Sequence, residues 1–132
     1  MPADLFWLTL TTAMTGLFWI PYILDRMMTR GLMGAMGNPK PDAPPQSAWA
    51  ERQMRAHANA VENLVIFASL VLTAHALGIS NGVTACAVVL YFWSRLAHYV
   101  IYTLGIPVLR TLSFAGGFVA QAMLVLAIFK LA

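Results

Sequence analysis

Glu51-Arg52-Gln53-Met54-Arg55-Ala56-His57-Ala58-Asn59-Ala60-Val61-Glu62-Asn63 runs without a break into Leu64-Val65-Ile66-Phe67. Charged and amide side chains thus stand at the head of an apolar segment about long enough to cross a bilayer. Ionised groups are costly in that setting and persist there only with partners or a task. The run sets two expectations: a membrane-spanning helix, and a polar ligand bound at the membrane edge.

The rest of the chain fits the first expectation. Of its 132 residues 60% are hydrophobic and 10% charged, with a mean hydropathy of +0.72, far more apolar than an ordinary soluble domain. Four apolar stretches, about residues 5–28, 59–77, 83–104 and 107–131, each approach the roughly 20 residues a helix needs to cross hydrocarbon. In lipid such segments are helices, because the backbone must satisfy its own hydrogen bonds. Strand-like alternation is absent, which argues against a barrel. The expected fold is all-α: an integral membrane four-helix antiparallel bundle in one domain, with helices at about 5–30, 48–77, 83–104 and 107–131. These elements use up most of the chain and leave no room for a soluble domain. Asp4 stands where a signal peptide would carry positive charge, so the first stretch reads as a retained span.

The formal net charge of +3 is modest, and its placement is more informative. Arg26, Arg30, Lys40, Arg52 and Arg55 surround the first connection, and Arg110 lies at the third. The second, around residues 76–82, has no Lys or Arg. The positive-inside rule puts connections one and three in the cytoplasm and both termini outside, with Lys130 the one basic residue against that count. No basic patch lies off the membrane, which argues against a nucleic-acid partner. The single cysteine, Cys86, cannot form an intrachain disulfide and reads as a small buried hydrophobe. His57, His75 and His98 lie on different helices or faces without ligand spacing, so no metal site is expected.

The first connection, about residues 31–50, holds Gly34, Gly37, Asn38-Pro39, Pro41 and Pro44-Pro45, a density that forbids a continuous helix. Ser47 is placed to cap the helix that follows. The other connections are short: Gly78 and Gly82 bracket one, and Gly105-Ile106-Pro107 forms the other. Pro107 suits a first helical turn, where a missing N–H is harmless. Short links imply antiparallel neighbours.

At about 100° per residue, Arg52, Arg55, Asn59 and Glu62 share one narrow sector of the second helix, while His57 points away and reads as structural. Tyr91, Arg95, His98 and Tyr102 form a stripe on the third helix. Arg110, Phe114 and Gln121 share a face of the fourth, and Trp19, Tyr22, Arg26 and Arg30 one of the first. Taken singly, these residues have structural readings. Arg55, Glu62 and Arg95 could neutralise one another, Arg26 and Arg30 could snorkel, and Trp19, Tyr22 and Trp49 could belong to an interfacial belt. Taken together, Arg26, Arg30, Arg52, Arg55, Arg95 and Arg110 outnumber Asp25, Glu51 and Glu62 at the same end. A surplus of guanidinium in a dehydrated site suits an anionic ligand, carboxylates above all. Glu62 and Asn59 remain for a ligand ammonium or for orienting the arginines. No Gly-rich phosphate loop is present.

The pattern Glu51-Arg52-x-x-Arg55-Ala56-His57-x-Asn59-x-x-Glu62, then Arg95-x-x-His98-x-x-x-Tyr102, then Arg110, resembles the membrane-associated proteins in eicosanoid and glutathione metabolism (MAPEG). The likeness extends over essentially the whole chain, including the Asn38-Pro39 loop. It implies a homotrimer with glutathione as cosubstrate, bound between neighbouring subunits and open to the cytoplasm. It implies further that Arg55, Asn59, Glu62, Arg95, His98 and Tyr102 bind glutathione, with Arg30 contributed by the neighbour. Arg110 is implied as the catalytic arginine that stabilises the thiolate. An apolar, lipid-like substrate would reach it from the surrounding membrane lipids. Thr111 stands where prostaglandin-forming relatives carry serine, and Phe114 where some members carry tyrosine; the hydroxyl missing at Phe114 argues against a prostaglandin isomerase. The leading expectation is a glutathione transferase or peroxidase acting on an apolar electrophile or hydroperoxide. The alternative is a non-catalytic lipid-binding or scaffold member. A transporter is disfavoured because the charge clusters at one end rather than at the midplane.

Overall fold

A computed structural model describes residues 1–131. Its elements are α1 (Ala3–Leu17), α2 (Trp19–Met36), α3 (Ala48–Ala76), α4 (Gly82–Leu104) and α5 (Pro107–Ile128). No strand occurs among the described residues. Taken end to end, α1 and α2 form the first of four segments long and apolar enough to cross a membrane, and α3, α4 and α5 are the others. The expected four-helix, all-α architecture is the one observed.

The first span is interrupted for a local reason. Pro21 has no N–H to give to the carbonyl of Leu17, and its ring crowds that turn. The helix therefore breaks at Phe18. Tyr99 of α4 stabilises the break: its ring stacks on Phe18 at 3.7 Å, and its hydroxyl donates to the Phe18 carbonyl at 2.8 Å. A second bend falls at Gly31, whose φ of +72° lies in the left-handed region that glycine enters without penalty. The chain stays helical beyond it as far as Met36, so the loop is shorter than the proline and glycine pattern implied and spans residues 37–47.

Asp25 of α2 anchors the far end of that loop. It is 6% exposed and accepts from the Ser47 amide at 3.1 Å, the Ser47 hydroxyl at 2.5 Å and the Gln46 side-chain amide at 3.2 Å. Gln46 also donates to the Tyr22 carbonyl at 2.8 Å, and its side-chain oxygen accepts from Arg26 Nε at 2.9 Å. Ser47 does occupy the N-cap position of α3, but its hydroxyl makes no capping bond. It is turned to Asp25, so another helix adds a negative charge to that of Glu51 in the first turn of α3. Asp25→Ala leaves two donors of Ser47 and one of Gln46 without their acceptor. The expected loss is about 1–2 kcal/mol, read as a lower unfolding temperature in detergent with faster protease cleavage within residues 37–47. Cleavage at the wild-type rate would refute this anchoring role.

α4 is the most enclosed span. Its start is secured by Asn81, whose side-chain oxygen accepts from the Val83 and Thr84 amides at 2.9 and 3.0 Å, while Thr84 Oγ1 accepts from the Asn81 amide at 3.0 Å. This reciprocal capping box satisfies donors that would otherwise be orphaned in an apolar setting. One core cluster joins Leu8, Phe67, Val71, Ala87, Val88, Tyr91, Ala120 and Leu124, with Phe67 and Tyr91 stacked at 3.8 Å. A second, towards the first and third connections, joins Phe18, Ala56, Ala60 and Tyr99. α5 packs tightly on α4 where Gly116 faces Ser94: a Cβ at Gly116 would lie 2.6 Å from Ser94 Oγ.

The outside of the bundle is apolar. Val65, Leu112 and Phe118 are each more than 60% exposed, which suits lipid and would be a liability in water. Cys86 was expected inside the core. It is instead exposed on α4, beside Ala85, Val89, Leu90 and Trp93. One hydrophobe in a helix that is apolar nearly all round carries no signal of which side it faces.

Candidate functional site

Polar side chains converge at the end of the bundle where the first and third connections lie. α3 supplies Asn59, α4 supplies His98 and Tyr102, and α5 supplies Arg110, Thr111 and Phe114. Together they line a cleft of about 210 Å³. Arg110 sits in the first turn of α5, and its guanidinium carbon lies 4.7 Å from the centre of the Tyr102 ring. The ring face holds the cation in place through its quadrupole while leaving the N–H groups free to donate. Arg110 thus combines its own charge with the positive end of the α5 dipole.

Beneath this cleft Arg95 is 2% exposed. Its Nη2 donates to Asn59 Oδ1 at 2.6 Å, and its guanidinium lies 6.0 Å from the Phe114 ring centre. Asn59 is held in turn. Asn63 Nδ2 donates to the Asn59 carbonyl at 3.0 Å, and Gln121 Nε2 donates to the Asn63 carbonyl at 3.3 Å. A polar chain therefore links α4, α3 and α5 below the cleft floor. It depends on close packing of α5, because Gly117 lets that helix lie against Arg95 and Tyr91. Arg95 Nε and His98 Nδ1 are buried without a hydrogen-bond partner. The His98 ring meets Tyr102 and Phe114 at 5.6 and 6.1 Å between centres. Buried polar atoms without partners are uncommon and call for an explanation.

The other expected site residues lie around this cleft. Arg55 is exposed and lines a groove of about 510 Å³ with Pro45, Gln46, Ala48, Glu51 and Arg52, one helical turn from Asn59. Glu62 stands further along α3, exposed on its outer face. The mutual neutralisation of Arg55, Glu62 and Arg95 is not what the bundle does: Arg95 takes Asn59, and the two other charges point outward. Arg30 is held apart from the α3–α4–α5 cleft. Its Nε donates to the Pro44 carbonyl at 2.9 Å, and it lines an arch of about 600 Å³ under the first loop. His57 is structural, as its phase indicated, with Nδ1 2.8 Å from the Tyr22 hydroxyl. No cluster of His, Cys, Asp or Glu able to hold a metal occurs among the described residues.

Two residues of the opening run serve otherwise than their positions in the sequence suggest. Asn63 lay in the opening run, but its amide serves the backbone of the preceding turn. Arg52 shares the sector of Arg55 and Asn59, yet its side chain reaches α4, where Nε donates to the Thr103 carbonyl at 3.0 Å. Helical phase says which way a side chain leaves the axis, and not which neighbour it meets.

The fold and this cleft define an integral-membrane four-helix protein with an arginine-rich polar site at one end of its bundle. The family model of the MAPEG family matches residues 5–130, and the chain belongs to that family. Its members include glutathione transferases and related proteins, and the family is generally associated with glutathione. No individual curated protein matches the chain.

Proposed function

We propose that this protein is a membrane-embedded glutathione transferase-type enzyme, and that the cleft beneath Arg110 receives the cysteinyl sulfur of glutathione. The observation that supports this most is the setting of Arg110: a guanidinium at a helix N-terminus, backed by an aromatic face, in a cleft whose other walls are His98, Tyr102 and Asn59. A thiol placed there ionises more readily, and the thiolate is the reactive form. Its sulfur attacks an electrophilic carbon, an S–C bond forms, and the leaving group departs with the bonding electrons. With a hydroperoxide, the thiolate instead takes the terminal hydroxyl oxygen, the O–O bond breaks, and the alkoxide leaves and takes up a proton to become the alcohol. The resulting sulfenic acid then reacts with a second glutathione to give the disulfide and water.

The glycyl and γ-glutamyl carboxylates are assigned to the Arg55 guanidinium, and the ammonium to Glu62. In the single protomer Arg55 and Glu62 are exposed on a span that must lie in or beside lipid. That placement favours a second copy covering this face, with Arg30 of its loop brought to the site and three protomers closing the ring. Charge within a span is otherwise expensive. The one-domain chain would then sit with its termini outside and the cleft open to the cytoplasm, as the clustered arginines favour. An apolar substrate would enter beside Phe114 and Thr111 on the lipid-facing side of α5.

Isothermal titration of glutathione into the detergent-solubilised protein tests the reading, followed by turnover of an apolar chloronitrobenzene and of a lipid hydroperoxide. Binding with turnover of either is expected. Absence of binding would remove the proposal, and binding without turnover would favour the non-catalytic lipid-binding or scaffold alternative.

A further inference from the structure

The α4–α5 turn carries Arg110 five residues beyond Gly105, and it is built in two parts. The first is local. Gly105 adopts φ +78°, its amide bonds to the Tyr102 carbonyl at 3.0 Å, and the Ile106 amide bonds to the Ile101 carbonyl at 3.3 Å. This is the Schellman pattern, which satisfies two of the carbonyls a helix leaves open at its end. The Thr103 carbonyl is not served by it. Arg52 of α3 reaches across and donates Nε to that oxygen at 3.0 Å, setting a positive charge at the negative end of α4. The fit is close: a Cβ on Gly105 would lie 3.2 Å from both Arg52 Cζ and Nε.

We infer that Arg52, although it borders the Arg55 groove, is a positioning residue for Arg110, its Nε committed to the cap it places on α4, and not itself a contact for the ligand. Two routes connect them. Arg52 holds the turn that starts α5, whose first backbone bond runs from the Arg110 amide to the Ile106 carbonyl at 3.2 Å. It also fixes the last turn of α4, which carries Tyr102 immediately before Thr103, and Tyr102 is the ring against which Arg110 rests. Loss of the clamp therefore loosens both the backbone and the aromatic support of the same guanidinium. Its neighbours Arg55 and Asn59 on α3 are left in place. The inference rests on the proposed role of Arg110, and it makes a distinction that role alone does not: Arg52 should matter for sulfur activation and little for glutathione affinity.

The experiment compares wild type, Arg52→Ala, Arg52→Lys and Gly105→Ala in detergent. Without glutathione, amide hydrogen exchange over residues 105–110 should rise at least about tenfold in Arg52→Ala, since an end-of-helix bond is lost. With saturating glutathione, the thiolate absorbance and kcat should fall about tenfold or more, because small displacements of a catalytic group are costly. The Kd for glutathione should stay within about threefold. Arg52→Lys, which keeps one donor and the charge, should recover much of the loss. Gly105→Ala approaches the same contact from the other side and should reproduce the pattern if Arg52→Ala folds poorly. Unchanged exchange, or raised exchange with wild-type thiolate signal and kcat, overturns the inference while leaving the glutathione reading intact. A weakened Kd with normal kcat overturns it in favour of direct ligand contact. A wild type that binds no glutathione removes both together.

Discussion

Arg110→Ala is expected to lower glutathione-dependent turnover by about a hundredfold or more, with glutathione still binding at a Kd within about threefold of wild type. The size follows from what is removed. A charged donor aimed at a developing anion is commonly worth about 10²–10³ in rate. No other guanidinium lines the cleft: Asn59, His98, Tyr102 and Thr111 offer only amide, ring or hydroxyl donors, and Phe114 has none. The carboxylates of the ligand are assigned to the Arg55 guanidinium, so affinity should survive. Arg110→Lys is expected between the two, since lysine keeps the charge but loses the planar fork and its stacking on Tyr102. The measurements are steady-state turnover of a chloronitrobenzene, isothermal titration, and the thiolate absorbance that appears on adding glutathione. A variant that turns over at the wild-type rate would sink the assignment of Arg110.

Asn59→Leu is expected to have the largest effect on stability. Arg95 is 2% exposed, and the Asn59 side-chain oxygen, at 2.6 Å, is its hydrogen-bond acceptor. Its Nε already lacks a partner. Removing the acceptor strands a guanidinium in the bundle interior, at a cost of about 2–4 kcal/mol. The same substitution removes the 3.4 Å bond from Asn63 Nδ2 to Asn59 Oδ1, while the bonds to the Asn59 and Asn63 carbonyls remain. A double variant, Asn59→Leu with Arg95→Leu, should lose clearly less than the sum of the two single changes. Replacing both members of a buried polar pair by apolar groups avoids the unpaired charge that either single change creates. Thermal or denaturant unfolding in one detergent reads all four proteins. Additive losses would show that Arg95 does not depend on Asn59.

Several features of the fold were legible because hydrocarbon leaves few alternatives. A long apolar segment without water must be a helix. Proline and glycine then mark where the helices stop, and α3 begins at Ala48, as the helix expected from about residue 48 required. Pro107 opens α5 for the same reason. Less legible were the interruptions within helices. Pro21 lies in an apolar stretch that reads as continuous, and only the Tyr99 contact with Phe18 shows how the broken turn is satisfied. The position of Cys86 was misread because lipid and core demand the same chemistry of a side chain, and composition cannot separate them.

The candidate site divides along the same line. The chain by itself determined four membrane-crossing helices, the MAPEG pattern, and the gathering of arginines at one end, since these depend on hydropathy and on period within single helices. Opposite charges there could have paired in several ways on paper. Only the tertiary structure decided that Arg95 is neutral-partnered by Asn59, that Arg55 and Glu62 face outward, that Arg30 is held under its own loop, and that Arg52 leaves the ligand wall to cap α4. The physical reason is that a side chain's helical phase is local, whereas its partner is set by crossing helices and by glycines such as Gly105 and Gly117 that let another element come within reach.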